Sequence, residues 1–110
     1  MILSTDVWVS GLIRRAQLGG AFPAVLRKGD PRAGAVIVRV FDTACKAARL
    51  YVEAVRADGE RVWMHPAASR REEDIDAYVE RAVRIDPDLW VVEIEDREGR
   101  HFLTEPVDET

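Results

Sequence analysis

The stretch AVIVRVFDTACKAARLYVEAVRADGERVWMHP, residues 35–66, decides the fold: three short apolar runs with alternating side chains are separated by turn signals. Period-two alternation rich in Val, Ile, Tyr and Trp predicts three strands joined as an antiparallel meander. Within it, Arg56-Ala57-Asp58-Gly59-Glu60-Arg61 reads as a hairpin closed by a two-residue Asp-Gly loop, whose twist matches that of its flanking strands. Such a loop sets Ala54 opposite Trp63, Val52 opposite His65, Val55 opposite Val62 and Glu53 opposite Met64. One face is then expected to carry Leu50, Val52, Ala54 and Trp63, and the other Tyr51, Val55, Val62 and Met64, so that both are apolar.

Outward from the meander, the flanking segments supply two helices and more strands. A helix is expected from a cap at Thr5 or Asp6 to about Leu18, with Gly19-Gly20 as its stop and Trp8, Val9, Leu12, Ile13 and Ala16 as its apolar stripe. Val7-Trp8-Val9 is rich in strand formers and Gly11 costs a helix about 1 kcal/mol against Ala, which leaves open a strand through Gly11 followed by a shorter helix. Phe22 to Lys28 reads as a strand, with Pro23 at its start or on an edge. The turn Gly29-Asp30-Pro31-Arg32-Ala33-Gly34 leads from it into the first meander strand as a hairpin, with two glycines able to take positive φ.

Ser69-Arg70-Arg71-Glu72 has the form of a capping box, and Glu72, Glu73 and Asp74 sit where the helix dipole favours negative charge. Ile75, Tyr78, Val79, Ala82 and Val83 give that helix its apolar stripe, and Asp86-Pro87-Asp88 ends it near Ile85. Leu89 to Glu95 follows as a strand with Trp90, Val92 and Ile94 inward, then a turn at residues 96–99 into a last short strand near His101 to Leu103. Residues 105–110 are expected to be a frayed acidic tail. The expected architecture is α+β: an antiparallel sheet of about five strands, the meander plus the C-terminal strands, with two helices, in a single domain spanning residues 1–110.

Composition narrows the function classes. With 47% hydrophobic and 33% charged residues in 110, the chain has the make-up of one globular domain able to bury a core without staples. Cys45 is the only cysteine, so no disulfide forms within the chain, which suits a reducing cytosol. No basic leader followed by a long apolar run opens the sequence, and no segment approaches the roughly 20 apolar residues of a membrane span; a cytoplasmic protein is expected. Residues 1–56 hold 9 basic against 4 acidic side chains and residues 57–110 hold 7 against 16, giving +5 and −9. Because the basic residues are dispersed, the halves are expected to interleave their charges, or copies to meet basic to acidic.

Arg27-Lys28-Gly29-Asp30-Pro31 with Ala33-Gly34-Ala35-Val36, the run Asp86 to Glu93, and Trp8 with Arg14-Arg15 together resemble family 1491 of the uncharacterised alphaproteobacterial domains of unknown function. The resemblance spans nearly the whole chain. It implies a bacterial, cytoplasmic, stand-alone protein and brings no activity, cofactor or catalytic residue.

Candidate chemistry is sparse. Cys45 lies between Ala44 and Lys46 with neither His close in sequence, so an inert small side chain outweighs a nucleophile. His65 and His101 have no partner at metal-ligand spacing, and no metal or cofactor is expected. Asp30 and Glu53, or pairs among Asp86, Asp88 and Glu93, need geometry before they mean acid-base work. The 29–34 turn beside Arg27, Lys28 and Arg32 resembles a phosphate cradle in composition, but Pro31 has no N–H to give and no helix N-terminus follows. Arg14, Arg15, Arg27, Lys28 and Arg32 form the alternative reading, a site for a phosphorylated ligand or nucleic acid; a pI near 5.2 opposes the nucleic acid. Trp8, Trp63 and Trp90 read as core anchors.

The two-sided sheet carries the leading expectation. If both helices cover the face with Val36, Val38, Val40, Leu50, Val52 and Trp63, the other face needs a cover. Ile37, Phe41, Tyr51, Val55, Val62 and Met64 are therefore the expected seam of a homodimer, in a non-catalytic protein-interaction module with itself and an unidentified protein as partners. One helix on each side of the sheet would remove the need for that seam.

Overall fold

The structure, a computed structural model, describes residues 3–66 and 70–108. Helix α1 (Thr5–Leu18) is followed by strands β1 (Phe22–Arg27), β2 (Val36–Asp42), β3 (Ala47–Val55) and β4 (Arg61–Met64). Helix α2 (Glu72–Ile85), β5 (Trp90–Asp96) and the two-residue β6 (Val107–Asp108) complete the chain. The fold is α+β with a six-stranded mixed sheet in the order β1-β5-β2-β3-β4-β6. The residues 35–66 do form an antiparallel meander, β2-β3-β4.

Two features correct the expected five-stranded antiparallel sheet. β1 does not hairpin onto β2; it pairs antiparallel with β5, which inserts between them and runs parallel to β2. The run Leu89-Trp90-Val91-Val92 is apolar without alternation because a central strand beneath two helices is buried on both faces. Residues 101–103 are not a strand: Phe102 has φ of 60°. The chain crosses the sheet instead and places Val107 and Asp108 parallel to β4 at the far edge. Val107 and Asp108, within the stretch expected to fray, form β6, while 109–110 lie outside the described residues. So does Ser69 of the proposed capping box; the residue at the N-cap of α2 is Arg71.

The hairpin also differs by one residue. Arg56 N–H donates to Glu60 O at 2.8 Å and Gly59, at φ of 89°, closes a three-residue loop of Ala57, Asp58 and Gly59. This is the turn-plus-bulge alternative to a two-residue loop. Glu53 consequently faces Trp63, Ala54 faces Val62 and Val52 faces Met64. A one-residue slip moves a whole strand's side chains to the opposite face. Trp63 thus joins Tyr51 on one side, and Val62 and Met64 join Val52 and Ala54 on the other.

Each face has its own helix. Trp8, Val9, Leu12 and Ala16 of α1 pack on Val36, Val38, Val40, Tyr51, Trp63, Trp90, Val92 and Ile94. Ile75 of α2, with Tyr78, Val79, Ala82 and Val83, packs on Ile37, Ala48, Leu50 and Leu89. The stripe expected for the first helix is the one that is buried, and α1 runs unbroken through Gly11. The protein is a helix-sheet-helix sandwich, the arrangement that buries a sheet apolar on both sides within one chain. Among the described residues no helix is long and apolar enough to cross a membrane.

Candidate functional site

The six residues expected to form one seam do not share a face. Ile37, Phe41, Val62 and Met64 lie on the α2 side, while Tyr51 and Val55 lie on the α1 side. Ile37, Tyr51 and Val62 are buried within the chain itself. On that side of the sheet α2 supplies a cover from within the chain. Val55 and Met64 remain exposed, on opposite faces.

Exposed apolar surface gathers elsewhere, on β1 and the residues before it. Phe22 is 75% exposed, Leu26 56% and Val25 44%, and Leu18 precedes them. β1 is an edge strand because, among the described residues, β5 is its single neighbour. Pro23 is tolerated there, and the pairing shifts register between Val25 and Arg27. On the α2 side, β1 borders a groove of about 550 Å³ with Leu26, Val79, Val83 and Val91 on its walls and Arg27, Arg39, Arg84, Asp76 and Glu80 as its polar members. Arg27 Nη2 donates to Pro87 O at 2.8 Å, while its buried Nε has no partner among the described residues.

Arg39 anchors the inner end of this groove. Its guanidinium is nearly fully buried and is shared by Glu93 at 2.6 Å, Glu72 at 2.8 Å and Asp76 at 3.2 Å. Burial pushes the Glu93 carboxyl above the ordinary range, against the pull of Arg39. The acidic start of α2, readable from sequence as a dipole effect alone, thus also ties the helix to β2 and β5 through one cation.

A second cavity, of about 350 Å³, opens where the start of β2 meets the end of β3, with Leu3, Arg32, Glu53, Val55 and Arg61 among its lining residues. Glu53 Oε1 accepts the Val36 N–H at 3.3 Å and Oε2 accepts Arg61 Nη1 at 3.0 Å. Burial raises the Glu53 carboxyl and Arg61 offsets only part of that.

The five basic residues of the alternative reading are dispersed. Arg27 lines the groove and Arg32 the cavity. Arg15 Nε is spent on Phe102 O at 3.0 Å, and Arg14 and Lys28 are exposed without lining either. The 29–34 turn commits three of its backbone donors internally. Asp30 N–H donates to Asp88 O, Gly34 N–H to Asp30 O and Ala33 N–H to Asp30 Oδ2, so these three are not offered to a ligand. Its glycines serve close approach rather than positive φ: a Cβ at Gly29 would sit 2.1 Å from Asp88 O, and one at Gly34 2.4 Å from the same oxygen.

Cys45 is exposed in the β2–β3 turn. The rings of His65 and His101 both pack against Tyr51, at 4.7 and 5.1 Å. Among the described residues no three His, Cys, Asp or Glu side chains converge for a metal. Asp30 and Asp86 each hold a loop N–H, and Glu93 is committed to Arg39.

A family model described as a protein of unknown function, DUF1491, matches residues 3–104. The crystal structure of a DUF1491 family protein from Caulobacter crescentus CB15 superposes with a TM-score of 0.95 at 67% identity, covering 97% of this chain and 100% of that one. An NMR structure of a DUF1491 family protein from the same organism gives 0.92 at 67% identity, with 99% of each chain covered. The solution structure of protein Atu0922 from A. tumefaciens gives 0.81 at 36% identity over the full length of both. No curated protein matches the chain. Sequence and fold agree over nearly the whole length, and the chain belongs to the DUF1491 family of proteins of unknown function.

Proposed function

We propose that this chain is a non-catalytic interaction module of the bacterial cytoplasm that pairs with a second copy of itself along the free edge of β1. The observation that carries this reading is Phe22, an aromatic side chain left 75% exposed on an edge strand whose other end, at Leu26 and Arg27, borders an apolar groove. An edge strand presents unpaired N–H and C=O groups to another chain, and Pro23 with the register shift keeps the stretch that can pair short. Antiparallel pairing of β1 with its own copy about Ala24 sets Phe22 of one chain beside Leu26 of the other. Phe22 stands on the α2 side of the sheet, opposite Glu95 on β5, and so enters the partner's groove against Val79 and Val83.

Charge supports the same occupant. The Phe22 end of β1 lies beside the exposed Glu95, and the other end carries Arg27 and Lys28. A two-fold axis therefore brings acid to base twice, and offers Arg27 a carboxylate. This is the copy-to-copy form of the +5 and −9 imbalance between the two halves. The alternative, a phosphorylated ligand or nucleic acid on Arg14, Arg15, Arg27, Lys28 and Arg32, has less behind it because Arg27 and Arg32 line separate cavities and the other three line neither.

Cross-linking tests the geometry. Ala24→Cys in a Cys45→Ser background should oxidise to a covalent dimer, since directly opposed residues in an antiparallel pair have Cβ atoms about 4.5–5.5 Å apart. Ser10→Cys, exposed on α1, should not. Absence of the Ala24→Cys dimer, or equal dimer from both variants, would overturn the proposal.

A further inference from the structure

We propose that the 350 Å³ cavity between the start of β2 and the end of β3 binds a free α-amino acid, its ammonium on Glu53 and its carboxylate on Arg32. The inference is independent of self-association through β1.

The cavity's size is within the range of small-molecule sites, and its lining has the usual make-up of apolar walls with a few converging polar groups. Its charges are of both signs and are unevenly satisfied. The Arg32 guanidinium, with five N–H donors, has no hydrogen-bond partner among the described residues. The Glu53 carboxylate accepts one bond on each oxygen, from Val36 N–H and Arg61, and has room for two more. Burial that raises its pKa marks a carboxylate whose charge is under-compensated.

The other polar groups nearby are occupied. Thr5 Oγ1 donates to Gly34 O at 2.9 Å, and the two oxygens of Glu105 are taken by Trp8 and Trp63. A purely anionic guest would meet Glu53, and a purely cationic one would meet Arg32 and Arg61. A zwitterion satisfies both ends, and Leu3 and Val55 offer its side chain an apolar wall.

The twenty protein amino acids, titrated singly to about 10 mM into the ¹⁵N-labelled protein, test the site by amide shifts. At least one should move the amides of residues 32–36 and 53–55. Its des-amino and decarboxylated analogues should each bind at least about tenfold more weakly, as should the Arg32→Ala and Glu53→Gln variants. Arg32 is exposed, so Arg32→Ala keeps the test open should Glu53→Gln fold poorly. Silence from all twenty, equal binding by either analogue, or unchanged affinity in Arg32→Ala would overturn the proposal.

Discussion

Trp8 of α1 and Trp63 of β4 stack with ring centroids 5.4 Å apart, and both donate their indole N–H to the same carboxylate, Glu105, at 3.0 and 3.1 Å. Burial pushes Glu105 up in pKa, and its hydrogen bonds, those two foremost, outweigh that and hold it below the ordinary range. One acidic side chain near the C-terminus therefore closes the α1 side of the core and delivers Val107 to its place beside β4.

Removing that carboxylate should loosen all three elements. Glu105→Ala is expected to cost about 2–4 kcal/mol in urea denaturation, below the roughly 3–6 kcal/mol of two fully buried hydrogen bonds to a charged group because Glu105 is only half-buried. Glu105→Gln, which still accepts, should cost less, and tryptophan fluorescence should shift to the red in the Ala variant. An unchanged midpoint in Glu105→Ala would show the two bonds to be incidental.

The tight turn at residues 29–34 makes a different kind of demand. Gly29→Ala and Gly34→Ala place a methyl on the Asp88 carbonyl, which the backbone must shift to admit, at about 1–3 kcal/mol each. Gly20→Ala meets nothing within 4 Å but sits at φ of +86°, so its cost is about 1–2 kcal/mol of left-handed strain. Thermal unfolding of the three variants should rank both turn glycines at or above Gly20.

Arg39 tests whether a buried cation or its packing matters more. Arg39→Ala strands Glu93 beneath α2 and is expected to cost about 3–5 kcal/mol. Arg39→Met combined with Glu93→Leu should recover about half of that loss or more, because the uncompensated charge is gone. A double variant no more stable than Arg39→Ala would show that the cation itself holds α2 in place.

Stability should depend on pH in two opposing steps. Arg100 hydrogen-bonds Asp96 with its backbone N–H and with two guanidinium nitrogens, each at 2.9 Å, and holds the carboxyl down to about 2 from 3.8. A lowered acid binds fewer protons in the folded state, so its contribution is complete above its ordinary value and is lost as pH falls from about 4 to about 2. Glu53 and Glu93 are raised, and each withdraws stability as pH rises through the region above 4.5. Denaturation midpoints should thus improve slightly on acidification from neutrality towards pH 4.5 and fall below pH 4, with Asp96→Asn flattening the lower limb.

Local pattern carried the sequence reading as far as local physics reaches. The stripe of Trp8, Leu12 and Ala16 and that of Ile75, Val79 and Ala82 mark both helices, and alternation marks the meander. The Asp-Gly loop could not reveal its length, because Gly59 takes positive φ in both two- and three-residue closures while Ala57 is neutral between them. The insertion of β5 between β1 and β2 is a pairing across more than fifty residues, and its one trace is the unbroken apolar run at Leu89–Val92. The exposed β1 edge depends on that insertion. Phe22 and Leu26 become an exposed edge only once β5 has taken their inner side, and Glu105 reads as tail until two tryptophans from distant elements meet above it.

Sedimentation equilibrium of the wild-type chain beside Phe22→Asp tests the central claim most directly. The 12.4 kDa chain should run at about twice that mass at high micromolar concentration, and Phe22→Asp should run as a monomer while the equally exposed Ile85→Asp stays dimeric. A monomeric wild type at millimolar concentration, or a dimer indifferent to Phe22, would contradict it.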